Sequence, residues 1–253
     1  VNGGNDLLII LTMFALGALL GFVGAGGAGF IIAVLMLLFK VPIYKALGTS
    51  LAAMIFTSLS GAFSHYREGN VAMKAGVITG LFGAFGAFIG SKIAFMISSD
   101  ILPWLTAGML FLSSILLLVR LFVIKSSKDE KEEESHSFFI GKAAFLGLLF
   151  GTVSGTVGIG SAPFIQVGLY TLLGLSIRQS VGTTMLVIIP IALGGGVGYV
   201  LEGYLDFFLL FQVLIGTMTG AYVGAKFTNL VPKNLLKVTM VATPALAALL
   251  LVI

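Results

Sequence analysis

Apolar runs follow one another along the whole chain, separated by short polar or glycine-rich breaks, and none keeps the strict apolar-polar alternation of a half-buried strand. Ten can be drawn: segments a to e at 6–22, 28–39, 43–63, 74–97 and 101–124, then a′ to e′ at 138–154, 161–173, 180–200, 207–228 and 235–253. A helix needs about twenty apolar residues to cross ~30 Å of hydrocarbon, whereas the strands of a membrane barrel alternate over about ten. The pattern therefore predicts an all-α polytopic membrane protein. Segments b and b′ stand apart, because a dozen residues rising 1.5 Å each reach only about 18 Å. They are expected to be discontinuous half-helices.

The second five segments repeat the first. Gly48-Thr49-Ser50-Leu51 matches Gly182-Thr183-Thr184-Met185, Glu68-Gly69 matches Glu202-Gly203, and "GAFIGSK" at 86–92 matches "GAYVGAK" at 220–226, all at an offset of 134. The glycine breaks ahead of b and b′, Gly27-Ala28-Gly29 and Gly158-Ile159-Gly160, match at 131. This gives a first membrane repeat at 1–124, a polar charged linker at 125–141 and a second membrane repeat at 142–253. The linker "KSSKDEKEEESHS" is read as a solvated tether, with a regulatory tail as the other reading.

Composition agrees: 58% of residues are hydrophobic and 9% charged, and no polar stretch is long enough for a soluble catalytic domain. With no cysteine there is no disulfide, thiolate metal site or Cys nucleophile. The net charge of +4 does not point to nucleic acid, since Lys and Arg fall at helix ends, where they report topology. No Lys or Arg precedes Lys40 and no cleavage site stands out, so the first run is expected to be retained.

Charge also tests the orientation of the halves. If the second copy is inverted and the linker is cytoplasmic, Arg67, Lys74, Arg120, Lys125, Lys128, Lys131, Lys142, Arg178, Lys226, Lys233 and Lys237 lie inside, against Lys40, Lys45 and Lys92 outside. Parallel copies split the charges evenly. The positive-inside rule thus favours two five-segment repeats of inverted topology in a cytoplasmic membrane, with both termini outside.

Broken helix at membrane depth is tolerated only where protein or a water-lined cavity satisfies the freed backbone. Paired discontinuous helices in inverted repeats build midplane sites in secondary transporters. The N-termini of b and b′ carry unpaired N–H groups and a positive macrodipole end, which together suit an anion without a buried cation. The candidate substrate-binding residues are Gly26, Gly27, Gly29, Gly158, Gly160 and Ser161 through their backbone, with the hydroxyls of Thr49, Ser50, Thr183 and Thr184. Ser161 also fits the cap of b′ and Pro163 its first turn. Competing readings are close helix packing for the glycines, assigned to Gly86, Gly90, Gly220 and Gly224, and i−4 back-bonding for the hydroxyls. Gln166, Lys92 and Lys226 are additional candidates, although a helix-end lysine usually snorkels to the headgroups. Pro190 with Gly194 and Gly195 reads either as a hinge for alternating access or as a packing site.

The stretches "GFVGAGGAGF", "PIYKALGTSL", "GTVSGTVGIGSAPF" and "SIRQSVGTTM" resemble the TauE/SafE family of sulfite and organosulfonate exporters. The resemblance covers nearly the whole chain. It implies export of a small sulfur-containing anion such as sulfite or sulfoacetate, with no bound cofactor or metal. Tyr44 stands where the second half carries the basic Arg178, with Lys45 one position later, which leaves the role of a charge there open in the first copy.

The expected partners are a small anionic substrate and membrane lipid, with no nucleic acid; a homodimer is left open. A passive anion channel and a non-transporting membrane subunit are the alternatives to a carrier. An intramembrane enzyme using Ser154 in "TVSG" needs a base within hydrogen-bond reach, and His65 and His136 are expected in loops, so no enzyme is predicted.

Overall fold

The computed structural model describes residues 3–23, 28–123, 136–158 and 161–252. Its helices are α1 (Gly3–Val23), α2 (Ala28–Leu37), α3 (Ile43–Arg67), α4 (Met73–Ala94), α5 (Leu102–Leu118), α6 (His136–Val157), α7 (Ser161–Thr171), α8 (Ile177–Leu201), α9 (Phe207–Phe227) and α10 (Lys233–Val252). A π-helical turn, Val119–Val123, extends α5, and there is no strand among the described residues. Six helices, α3, α4, α6, α8, α9 and α10, are long and apolar enough to cross a membrane; the apolar parts of α1 and α5, Leu8–Val23 and Leu102–Leu118, are shorter. The chain is a polytopic all-α membrane bundle. Helices α2 and α7, of 10 and 11 residues, are the two short pieces expected from b and b′.

Two boundaries differ from expectation. Helix α6 begins at His136, inside the stretch assigned to the linker at 125–141, of which 125–135 lie outside the described residues. Helix α3 runs on to Arg67, so His65 is not in a loop: it is buried in the last turn, where its Nε2 lies 3.0 Å from the carbonyl of Gly21.

Helix α4 is inside out by the standards of a soluble protein. On α4 the buried positions are Ala75, Gly76, Thr79, Gly80, Gly83, Gly86, Ala87, Gly90, Ser91 and Ala94, while Leu81, Phe82, Phe85 and Phe88 are exposed. In lipid there is no hydrophobic gain from burying Phe rather than Ala, so the buried stripe is the one that lets backbones approach. Glycine marks the tightest seams. Gly147, Gly151 and Gly155 of α6 lie on the backbone of Thr79, Gly83 and Ala87, and Gly17 and Gly21 of α1 on Thr217 and Ala221. Gly86, Gly90, Gly220 and Gly224 likewise face backbone of the neighbouring helix, the packing role expected for them.

Packing partners recur. α6 lies on α4 and α1 on α9; α4 packs on α8 and α3 on α9; α3 meets α8 and α5 meets α10. So do the turns. After α3, Asn70 N–H bonds the His65 carbonyl and Gly69 N–H that of Tyr66; after α8, Tyr204 bonds Tyr199 and Gly203 bonds Val200. Both are Schellman closures, with Gly69 and Gly203 at φ 71° and 77°. The half-helices close alike: Val41 N–H reaches the Leu35 carbonyl and Leu175 N–H that of Leu169, with Lys40 and Gly174 in the left-handed region.

Candidate functional site

Each helix break is held by the other half of the chain. The carbonyl of Val23, last residue of α1 before the first break, accepts a 2.9 Å hydrogen bond from Nε2 of Gln166, the middle residue of α7. Val157, last residue of α6 before the second break, gives its carbonyl to Oγ1 of Thr106 on α5 at 3.0 Å. Gly158 follows at φ 74°; a Cβ there would run into the side chain of Leu47 and stand 3.6 Å from Cδ1 of Ile32, halfway along α2. The end of α1 thus lies against the middle of α7, and Gly158, after α6, against the middle of α2.

Gly29 is buried in the first turn of α2. Gly26, Gly27 and Gly160, and the side chain of Ser161, lie outside the described residues. The local reason for a break is plain at Gly158: a left-handed residue ends α6 and re-aims the chain, and glycine alone takes that conformation without a Cβ penalty.

The four candidate hydroxyls are all fully buried and differ in what they do. Ser50 Oγ donates to its own Leu47 carbonyl at 3.0 Å and Thr184 Oγ1 to its own Ser180 carbonyl at 2.7 Å, the back-bonding habit of membrane helices. Thr183 Oγ1 accepts the backbone N–H of Ala72, where α4 begins, at 2.9 Å. Thr49 Oγ1 has no partner among the described residues. Thr49 and Thr183 sit at connections: the adjacent Gly48 packs on the Tyr204 carbonyl and Gly182 on that of Asn70.

The additional candidates lie away from the breaks, Gln166 excepted. Lys92 makes an exposed ion pair with Glu202 at 3.4 Å, and Lys226 lies 4.5 Å from the ring centroid of Tyr222. Lys226 also lines a cavity of about 260 Å³ together with Ser64, Arg67, Glu68 and Tyr222. Pro190 faces Gly80 of α4 and Gly194 lies on the Ala84 carbonyl, so the Pro-Gly stretch of α8 sits in a packed seam, while Gly195 has only ordinary contacts.

Two clusters were not anticipated. One is aromatic: Tyr44, Phe95, Tyr199 and Tyr204, with neighbouring ring centroids 5.1–6.1 Å apart. The other is polar: Arg178 reaches the Asn229 and Val231 carbonyls, Asn70 Nδ2 donates to Asn229 Oδ1 at 3.0 Å, and Asn229 Nδ2 donates to Glu68. The sequence signal for both was the single exchange of Tyr44 for Arg178. Among the described residues no group of three or more His, Cys, Asp or Glu could hold a metal.

A multi-pass helical bundle with two short half-helices locked against opposite halves of the chain defines a membrane protein of the transporter class. Residues 9–251 match the family model described as "Sulfite exporter TauE/SafE", and the chain belongs to that family, whose members are membrane transporters rather than enzymes. It is 61% identical to "Probable membrane transporter protein YdhB" of Bacillus subtilis (strain 168), over 97% of this chain and 99% of that protein. More distant relatives include "Probable membrane transporter protein YjnA" of the same strain, 26% identical over 86% of this chain and 88% of that protein. A third is "Probable membrane transporter protein MJ0441" of Methanocaldococcus jannaschii, 26% identical over 78% of this chain and 74% of that protein.

Proposed function

We propose that this chain is a secondary transporter that exports a small sulfur-containing anion, sulfite or an organosulfonate such as sulfoacetate, across the cytoplasmic membrane. The observation that carries the reading is the mutual locking of the two breaks, Gln166 on Val23 and Gly158 against Ile32. In this reading the N-terminal N–H groups and positive dipole ends of the two short helices share one region, and none of the residues assigned to it is basic. Backbone N–H groups at Gly26, Gly27, Gly29, Gly158, Gly160 and Ser161 are the donors in this reading. Thr49 adds a hydroxyl with no partner among the described residues, whereas the Ser50 and Thr184 protons are taken by carbonyls and Thr183 accepts from Ala72.

The two halves act as inverted repeats in this mechanism, exposing the breaks alternately to either side, with Arg67, Arg178 and Lys226 at the cytoplasmic end. Matched contacts at an offset of 134, such as Gly48 on Tyr204 and Gly182 on Asn70, support the pairing, and the distribution of Lys and Arg supports the inversion. An inside-negative potential drives a monoanion outward by roughly 2.3 kcal/mol per 100 mV.

The test is flux from liposomes containing purified protein and loaded with sulfite, sulfoacetate, sulfate or taurine. Saturable, potential-sensitive efflux of sulfite or sulfoacetate is expected; efflux of zwitterionic taurine alone would overturn the electrostatic reading.

A further inference from the structure

The offset of 134 that aligns the two halves also pairs the two unanticipated clusters, position by position. Tyr44 pairs with Arg178, Phe95 with Asn229, Tyr199 with His65 and Tyr204 with Asn70. Their hydrogen bonds correspond as well. Tyr44 OH donates to the Ile97 carbonyl at 2.8 Å, and Arg178 donates to the Val231 carbonyl at 3.4 Å, again 134 residues on. The same backbone frame thus holds four aromatic rings at one end and a guanidinium, two amides and an imidazole at the other. What their buried polar atoms meet separates them further. Tyr199 is fully buried, its ring edge-on to Phe95 at 5.1 Å and its OH 3.4 Å from the Gly155 carbonyl. At the polar end, His65 Nδ1 and Arg178 Nε are buried with no partner among the described residues, and beside them opens the cavity lined by Ser64, Arg67, Glu68, Tyr222 and Lys226. Glu68 at that end is matched by Asn229 and outnumbered by Arg67, Arg178 and Lys226.

Resting on the transport reading above, we propose that the path has chemically unlike ends: Arg178, His65, Asn70 and Asn229 form a hydrated mouth that admits oxyanions, and Tyr44, Phe95, Tyr199 and Tyr204 form a dry seal. The unpaired Nε–H of Arg178 is satisfied by water or by the incoming anion, and His65 Nδ1, the acceptor nitrogen of a ring whose Nε2–H is given to the Gly21 carbonyl, is satisfied by water, because a buried polar group left without a partner costs free energy. Tilted, stacked and edge-on rings fill the opposite end, with the Tyr44 and Tyr199 hydroxyls given to backbone carbonyls, and the anion meets charge selection on one side only.

The chain has no cysteine, so single-cysteine variants report without background. Ser64 lines the cavity at the mouth; Ser91, one turn before Phe95, is fully buried beside Gly198, the neighbour of Tyr199 in the seal. In purified protein, anionic sulfonatoethyl methanethiosulfonate should modify S64C about tenfold faster than S91C. Adding Arg178→Gln to S64C should lower the ratio of anionic to cationic (trimethylammonioethyl) reagent rates roughly fivefold. Equal reactivity of S64C and S91C overturns the proposal without needing any variant of the cluster, and so does a rate ratio untouched by R178Q. Neither readout uses flux, so absent efflux in liposomes would count against the transport reading alone.

Discussion

The amide of Gln166 and the carbonyl of Val23 meet at 2.9 Å, which makes the middle of one half-helix the closing piece of the helix that precedes the other. The carbonyl that ends α1 is therefore held across 143 residues of sequence.

Replacing Gln166 by Leu keeps most of the volume and removes the donor. A dry carbonyl left at Val23 should cost about 1–3 kcal/mol, read as a lower thermal midpoint in detergent. A midpoint equal to wild type would mean that water already serves Val23.

Gly158 combines a left-handed backbone with a blocked Cβ direction. Gly158→Ala should destabilise the protein, with about 1–2 kcal/mol arising from the backbone alone. Adding Leu47→Ala should relieve the collision but leave that backbone part in place. Full recovery in the double variant would show that φ carries no cost here.

Thr49 and Thr183 should answer oppositely to the same change. Thr49→Val removes a buried hydroxyl without a partner and should leave the thermal midpoint level or raised, while weakening the thermal protection given by a bound anion. Thr183→Val strips the acceptor from Ala72 N–H and should lower the midpoint, costing about 1–3 kcal/mol. Unchanged anion protection in T49V would remove Thr49 from the binding site.

Glycines should sort by what faces them. Gly151→Val pushes a side chain into the Gly83 backbone and should cost about 3 kcal/mol or prevent assembly, seen as loss of the monodisperse peak on size-exclusion chromatography. Gly108, in α5, has nothing within 4 Å of an added Cβ, so Gly108→Ala should stabilise its helix by up to about 1 kcal/mol.

Much of this architecture is legible in the chain. Apolar runs located the ten α-helices of the described residues, and the length of b and b′ identified α2 and α7, because a helix too short to span leaves a countable deficit. The Glu68-Gly69 and Glu202-Gly203 pair, legible as a repeat, falls in two matching Schellman turns. What faced inward was harder to read. When lipid replaces water outside, apolar residues occupy both surfaces, and the buried face of α4 shows only as a recurrence of Gly, Ala, Ser and Thr. His65 was misplaced because a polar residue beside Arg67 and Glu68 resembles a loop, yet the Gly21 carbonyl gives it a partner inside α3. The stagger of the two breaks was beyond local pattern altogether, since it depends on Gln166 and Ile32 meeting distant chain. Hydroxyl function was equally hidden: Thr49, Ser50, Thr183 and Thr184 look alike in sequence and are separated by which carbonyl or N–H happens to lie beside each.

The glycine seams between α1 and α9 and between α4 and α6 bring main chain onto main chain, which leaves no compliant side chains to slip past one another. Each pair consequently behaves as a stiff rib built from one helix of either half. Any change of shape wide enough to pass a solute has to be taken up by the slimmer members that are not riveted in this way, foremost the two stubs α2 and α7.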